Sequence, residues 1–92
     1  MKLRVEYMAQ VKTAAAVGSE TVTLKDNAGL VELVRLLAGC HGPGFGAMVL
    51  DATGGIAPSI IITVNNEQAY PSDCPLLADG DTVMIMTPMS GG

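Results

Sequence analysis

The residues best placed to carry chemistry are the last two, Gly91 and Gly92, at the end of a 92-residue chain. A C-terminal carboxylate has a pKa near ~3.5 and is ionised at neutral pH, so it can attack an activated phosphate and become an acyl adenylate. Glycines have no side chain to block a narrow channel, and their backbone adopts whatever turn the channel imposes. The pattern therefore indicates a terminal carboxylate that another protein's nucleotide site activates.

Other candidates for chemistry are few, and the sequence predicts no catalytic residue. His41 is the only histidine, and nothing places a nucleophile or a second base beside it. Its expected place is the end of a helix, where it favours the helix dipole. Cys40, His41 and Cys74 are too few for a structural zinc site, which needs four ligands. Residues 42–47 fit the letters of a dinucleotide fingerprint but follow a helix instead of a strand, so we predict no metal and no bound cofactor.

The composition narrows the class of protein further. Hydrophobic residues make up 49% of the chain and charged residues 15%, with a net charge of −4. The basic residues are scattered, which argues against nucleic-acid binding and allows a partner with a basic docking surface. No apolar stretch approaches the ~20 residues of a membrane span, and the start lacks a signal-peptide core. We therefore expect one small cytoplasmic domain, with two cysteines too few for a disulfide scaffold.

Two elements can be predicted from their periodicity. Alternation over residues 2–7 predicts a half-buried strand, which pairs with a second strand at 21–24 through a connection at 8–17. Apolar residues at i, i+3, i+4 and i+7 across Leu30–Ala38 predict an amphipathic helix. We expect this helix to begin at Gly29, with Glu32 helping to cap it, and to end at Gly39 or Gly42.

The rest of the chain is predicted to be mostly strand and loop. Three further strands are expected at 59–64, 68–70 and 82–87, and the glycine-rich segment 42–58 is expected to hold only a short apolar turn at 45–50. Pro88 cannot continue a hydrogen-bonded ladder. The sequence therefore predicts a domain over residues 1–88 and a flexible tail over 89–92.

The last predicted strand is apolar on both faces. Val83 and Ile85 point one way, and Met84 and Met86 point the other. A single helix covers only one face of a sheet, so the second face is covered either by the 42–58 loop or by a partner. Flexible methionines suit adaptable contacts, and we interpret Met84 and Met86 as candidates for a partner-docking face.

These residues resemble a known family, the MoaD/ThiS-type ubiquitin-like sulfur carriers, and most closely the small subunit of molybdopterin synthase (MoaD). The resemblance covers nearly the whole chain. It is most specific in residues 75–83, similar to the family's "PL..GDEV" segment, and in Pro88, Met89, Ser90, Gly91 and Gly92, similar to its "P-hydrophobic-small-GG" end.

The resemblance implies an α+β, β-grasp (ubiquitin-like) fold, with a mixed sheet of four to five strands wrapped around one main helix. It implies that an adenylating enzyme of the MoeB/ThiF type uses ATP to charge Gly92, and that a sulfur donor converts the adenylate to a thiocarboxylate. Gly91 would be the linker, Pro88 and Met89 would set the tail's exit, and Ser90 would belong to the partner-binding tail. A large synthase subunit of the MoaE type would then take the tail into its own active site and move sulfur onto a pterin precursor.

The sequence departs from the family in ways that leave the pathway open. Thr87 stands where the family often has a first proline, the last strand has methionines where aromatics are common, and the 42–58 segment is longer than in short members. The sulfur could instead serve thiamine thiazole, cysteine or a specialised metabolite. Two hypotheses of other classes also stay open: a ubiquitin-like modifier joined to proteins through Gly92, and a plain interaction module.

Overall fold

The computed structural model describes residues 1–73 and 75–88. Its elements, in chain order, are β1 (Lys2–Met8), α1 (Ala9–Ala15), β2 (Ser19–Thr23), α2 (Leu30–His41), α3 (Pro43–Val49), β3 (Ile61–Val64), β4 (Glu67–Ala69), a 3-10 turn (Pro71–Asp73) and β5 (Thr82–Met86). The five strands form one mixed sheet in the order β2-β1-β5-β3-β4. The pairing of β1 with β5 is parallel and the other three are antiparallel.

The core lies between α2 and the inner face of this sheet. The alternation in β1 and β5 places every second side chain on that face, and the 3.6-residue period of α2 gives the helix a matching apolar stripe. The fully buried side chains from these three elements are Leu3, Val5, Tyr7, Leu30, Leu33, Val34, Leu37, Val83 and Ile85. A mixed sheet wrapped around a main helix is the β-grasp arrangement, so the predicted fold is confirmed.

Helix α2 begins where the sequence predicted and ends at the later of the two predicted positions. The Glu32 carboxylate accepts a hydrogen bond from the Gly29 backbone N–H at 3.3 Å, which is the expected cap. The helix continues through Gly39 to His41 and is capped by Gly42, so the second of the two predicted ends, Gly42, is confirmed. A glycine inside a helix lowers its stability but does not end it.

Two short helices form where the sequence predicted a connection, with room for a helical turn, and a short apolar turn. The connection after β1 contains the seven-residue helix α1, and residues 43–49 form α3. Each is held by a buried pair one turn apart, Val11 with Ala15 and Phe45 with Val49, which joins the core. Packing therefore stabilises two helices that are too short to be stable alone.

A single glycine makes the sharp turn from α2 into α3. Gly42 has φ +92° and ψ −177°, a conformation that is essentially restricted to glycine. We expect Gly42→Ala to lower the free energy of unfolding by about 1–3 kcal/mol. A Cβ at this position would meet nothing within 4 Å, so the loss would come from backbone strain alone.

Gly39 provides a matched control, since an added Cβ there also meets nothing within 4 Å. Gly39 lies inside α2, where Gly39→Ala should raise the free energy of unfolding by roughly 0.5–1 kcal/mol. Urea titrations of the two variants should therefore move in opposite directions. A Gly42→Ala variant as stable as the natural chain would contradict the strained turn.

Candidate functional site: the outer sheet face and the tail exit

The outer face of the sheet carries a continuous apolar patch. In one row across the sheet, Met8 of β1 pairs with Met86 of β5, which pairs with Ile61 of β3. Met84 lies in the next row, and paired residues in adjacent strands project to the same face. We call these four residues, Met8, Ile61, Met84 and Met86, the methionine face.

The methionine face lies outside the core. Met84, Met86 and Ile61 are half-buried and Met8 is 47% exposed, and none of the four packs against the core cluster. Within residues 1–73 and 75–88, the buried side chains of all three helices belong to that cluster on the inner face. The 42–58 segment also contributes to the inner face, through Phe45, Val49 and Ile56, so it does not cover the methionines.

Met84 and Met86 belong to this face as predicted from the sequence, whereas Met8 and Ile61 are not among the predicted docking residues. Met8 lies in the predicted connection at 8–17, although it continues the alternation of Lys2, Arg4 and Glu6 along β1. Ile61 lies in the predicted strand at 59–64. The signal for Met8 was therefore present in the sequence, whereas Ile61 joins the patch only through strand register.

A charged pair borders the methionine face on β1. Arg4 Nε lies 3.1 Å from Glu6 Oε2, and Arg4 also donates a hydrogen bond to Ser19 Oγ at 3.3 Å. Exposed ion pairs contribute only about 0–1 kcal/mol to stability. The pair leaves no net charge at this edge of the patch, which suits contact with an apolar partner surface.

The last described residues, Thr87 and Pro88, follow β5 beside the same patch. Strand β5 ends at Met86, between Met8 and Ile61, and Pro88 is exposed. The predicted tail residues Met89, Ser90, Gly91 and Gly92 lie outside the described residues. Any protein that covers the methionine face therefore also lies next to the start of the tail.

A second polar feature joins the end of α2 to the sheet. Glu20 Oε2 of β2 lies 2.5 Å from both Tyr7 Oη and His41 Nε2, and the Tyr7 and His41 atoms are 3.3 Å apart. An ionised carboxylate only accepts hydrogen bonds, so both neighbours donate to Glu20. His41 lies at the helix end as predicted, but its partners were not foreseen because they come from two strands distant in sequence.

The surroundings of Glu20 and Tyr7 shift the pKa values of both side chains. Partial burial raises the pKa of Glu20, but hydrogen bonds from Tyr7 and His41 and attraction to His41 outweigh it, so the pKa is lowered overall. Burial raises the pKa of Tyr7, and its hydrogen bond to Glu20 raises it further. The cluster therefore favours an ionised Glu20 and a neutral Tyr7.

These pKa shifts predict that the free energy of unfolding falls at both low and high pH. Because the folded pKa of Glu20 lies below its unfolded value, its contribution is present above about pH 4.5 and is lost as the pH falls through the folded value. Because the folded pKa of Tyr7 lies above its unfolded value, its contribution is present below about pH 10 and is lost at higher pH.

Glu20→Gln tests this cluster. The amide keeps the size of the side chain but loses the charge, so we expect a loss of about 1–2 kcal/mol in unfolding free energy at pH 7. The loss should shrink as the pH falls toward 3, because the natural Glu20 increasingly gains a proton as well. Urea titrations at both pH values measure this, and an equal loss at pH 7 and pH 3 would contradict a role for the Glu20 charge.

No group of three or more histidine, cysteine or carboxylate side chains is arranged to hold a metal within residues 1–73 and 75–88. His41 is engaged with Glu20 and Tyr7, Cys40 is exposed, and Cys74 lies outside the described residues. None of the helices in the described ranges has the length and apolarity needed to cross a membrane.

Fold and site together define a ubiquitin-like β-grasp protein whose outer sheet face is apolar and is covered by no helix among the described residues. The ThiS family model matches residues 5–92. The chain therefore belongs to the ThiS family, and the predicted resemblance to MoaD/ThiS-type ubiquitin-like sulfur carriers is confirmed.

Similar proteins agree with this assignment. The chain is 29% identical over 92 residues, 100% of both chains, to the molybdopterin synthase sulfur carrier subunit of Chlamydomonas reinhardtii. Its fold is similar to that of SAMP1 from Haloferax volcanii, with a TM-score of 0.88, 23% identity and full coverage of both chains. It is also similar to Urm1 from Trypanosoma brucei, with a TM-score of 0.78, 25% identity and coverage of 99% of this chain and 95% of that one.

Proposed function

We propose that this protein carries sulfur as a thiocarboxylate on Gly92. The observation that carries the proposal is the position of the methionine face, which adjoins the tail exit at Pro88 in a member of the ThiS family. An enzyme docked on this face would be positioned to receive the tail. Gly91 would let Gly92 reach a confined site, and Met89 and Ser90 would span the distance from Pro88.

The chemistry would take place in the partners. An adenylating enzyme of the MoeB/ThiF type would let the Gly92 carboxylate attack the α-phosphate of ATP and release pyrophosphate. Sulfide-level sulfur from a donor (HS⁻) would then attack the acyl carbon and release AMP, which leaves a thiocarboxylate. The chain itself contributes the carboxylate and the docking face, so we propose that it has no active site and binds no cofactor.

Molybdopterin synthesis is the pathway that we propose for the sulfur. The full-length similarity to a molybdopterin synthase sulfur carrier subunit supports it. In this role the chain would be the small subunit of the synthase, and a large subunit of the MoaE type would accept the tail. Delivery to thiamine thiazole, cysteine or another metabolite would use the same activation and a different acceptor.

A ubiquitin-like modifier is the second candidate. The fold of this chain is similar to that of small archaeal modifier protein 1 of Haloferax volcanii, with a TM-score of 0.84 and 20% identity. This similarity in fold is the observation that favours the modifier as a candidate. Both functions begin with the same acyl adenylate and differ in the group that attacks it. A lysine amine would give a protein conjugate, whereas sulfur gives the thiocarboxylate.

Intact mass spectrometry tests the proposal. The full chain is incubated with ATP, an adenylating enzyme and a sulfur source, and replacement of one oxygen by sulfur should add about 16 Da, since the acyl carbon exchanges one nucleophile for another. Omitting ATP provides the control. A chain that gains no mass with any adenylating enzyme from its own host would contradict the sulfur-carrier role, and conjugates on a denaturing gel would favour the modifier.

A further inference from the structure

A second apolar surface lies at the β4 edge of the sheet and the start of α2. Leu76 is 69% exposed and Tyr70 is 53% exposed, the highest values for large hydrophobic side chains in the described part of the chain. Leu76 pairs with Gly29, the residue before α2, whereas Tyr70 follows Ala69 and lies near the row of Ile61 and Met86. Neither residue is a member of the methionine face, and Leu76 is the one that defines this second surface.

Leu76 forms a ridge between two grooves. The first groove, of about 220 Å³, lies between Leu76, the 3-10 turn and the start of α2 at residues 29–32. The second, of about 510 Å³, is lined by Leu76, Tyr70 and residues of the β3–β4 hairpin. We call the two together the Leu76 grooves.

The backbone holds this ridge in place. Leu77 N–H donates to Ala28 O at 3.1 Å, and Pro75 O accepts from Leu30 N–H at 3.3 Å. Leu77 is buried in the core, and alternation along an extended segment then directs Leu76 outward. Leu76 cannot turn inward without displacing Leu77, so the grooves are pre-formed, which lowers the ordering cost of binding.

The size of the first groove indicates what it holds. Pockets for small molecules span about 300–1,000 Å³, whereas a cavity of about 150 Å³ is enough for benzene. A groove of about 220 Å³ falls between them. It fits one leucine- or phenylalanine-sized side chain better than a whole small-molecule ligand.

The charges around the grooves indicate what flanks that side chain. Glu32, Glu67 and Asp73 line the two grooves, and no lysine or arginine does so among the described residues. Glu32 is paired with Lys25 at 3.2 Å, while Glu67 and Asp73 form no ion pair within residues 1–73 and 75–88. A complementary segment therefore carries positive charge beside its apolar side chain.

We propose that the Leu76 grooves dock a partner protein segment with one leucine- or phenylalanine-sized side chain flanked by lysine or arginine. Asn65, at the groove end, bonds with Thr82 at the start of β5. The tail follows the other end of that strand, about 13 Å away at ~3.3 Å per residue. Such a partner could hold the protein while the methionine face and the tail are engaged elsewhere.

A titration followed by amide chemical shifts tests the site on the full, isotope-labelled chain. The probe is a capped peptide, Lys-Lys-Leu-Lys-Lys, compared with Lys-Lys-Ser-Lys-Lys and Glu-Glu-Leu-Glu-Glu. We expect saturable shifts confined to residues 29–32, 64–73 and 75–76, with binding at least about tenfold weaker for each comparison peptide, because each lacks one of the two complementary features. Added salt should weaken binding of the first peptide.

Leu76→Ala and Leu36→Ala form the matched pair of variants. Leu36 is 39% exposed on α2 and lines neither groove, so only Leu76→Ala should weaken peptide binding by about tenfold or more. Both variants should still gain 16 Da at Gly92, so failure of this site is distinguishable from failure of the proposed function. Shifts centred on the methionine face, equal binding of the acidic peptide, or a dimer that Leu76→Ala dissolves would each overturn the proposal.

Discussion

Removal of Gly92 is expected to abolish the 16 Da mass gain and leave the melting temperature essentially unchanged. The terminal carboxylate would move back by one residue, which is up to about 3.6 Å of chain. Misplacement of a reacting atom by only ~1 Å can cost about 100-fold in rate, so the loss should exceed that. The described members of the core cluster lie between Met1 and Ile85, and terminal residues contribute little packing. Intact mass and a thermal melt of the same sample check both statements.

Gly92→Ala distinguishes the length of the tail from the absence of a side chain at its end. This variant keeps the carboxylate at position 92 but adds a methyl group, which a channel shaped for glycine would exclude. We expect it to be charged more slowly than the natural chain and faster than the shortened one. A shortened chain that gained sulfur at the natural rate would refute Gly92 as the acceptor, and a large fall in melting temperature would make the tail part of the fold.

The elements that the sequence predicted well are those with a strong period of their own. The alternation of Leu3, Val5 and Tyr7 determined β1, and the spacing of Leu30, Leu33, Val34 and Leu37 determined α2. In both cases the pattern is set by one buried face that extends through the whole element. The boundaries were less certain, as the continuation of α2 through Gly39 shows.

The short helices could not be predicted because their stability is tertiary. Helix α3 contains Gly44 and Gly46, which disfavour a helix, and it is held by the packing of Phe45 and Val49 in the core. Helix α1 is equally short and ends at Ala16, which has a left-handed φ of 64°. Local propensity alone does not place either helix.

The residues of the candidate site also divide into those that a local pattern predicts and those that only the fold brings together. Met84 and Met86 alternate on one strand, so the sequence alone could predict that both belong to a docking face. Met8 and Ile61 join them through the pairings of β5 with β1 and β3. The β1–β5 pairing brings together residues 78 positions apart (8 and 86), a register that no local pattern encodes. The same holds for Glu20, which meets His41 only after the fold has formed.

Met86→Asp is expected to weaken binding of the adenylating enzyme by about 30-fold or more, the effect of losing a residue worth about 2 kcal/mol or more at the centre of an interface. Met86 lies at the middle of the row formed with Met8 and Ile61. An aspartate there would place an unpaired carboxylate against an apolar partner surface, where desolvation of the charge is unfavourable. The dependence of adenylation on carrier concentration measures the effect.

Thr21→Asp is the matched control for this substitution. Thr21 pairs with Arg4 on the same outer face of the sheet but lies two strands away from Met86. Both variants add one negative charge to a half-exposed or exposed position on a strand, so they separate a local contact from a general change in net charge. We expect Thr21→Asp to alter binding by less than about threefold, within the effect of a peripheral charge.

The remaining question is whether Met86 serves the interface or the fold. Since Met86 is half-buried and lies outside the core cluster, Met86→Asp should lower the free energy of unfolding by only about 1 kcal/mol, the central value for single substitutions. Met86→Leu, a change that conserves volume, should restore binding while keeping stability. If Met86→Asp unfolded the protein, or if it bound the enzyme as well as Thr21→Asp does, the methionine face would not be the docking surface, and the tail alone would have to account for recognition.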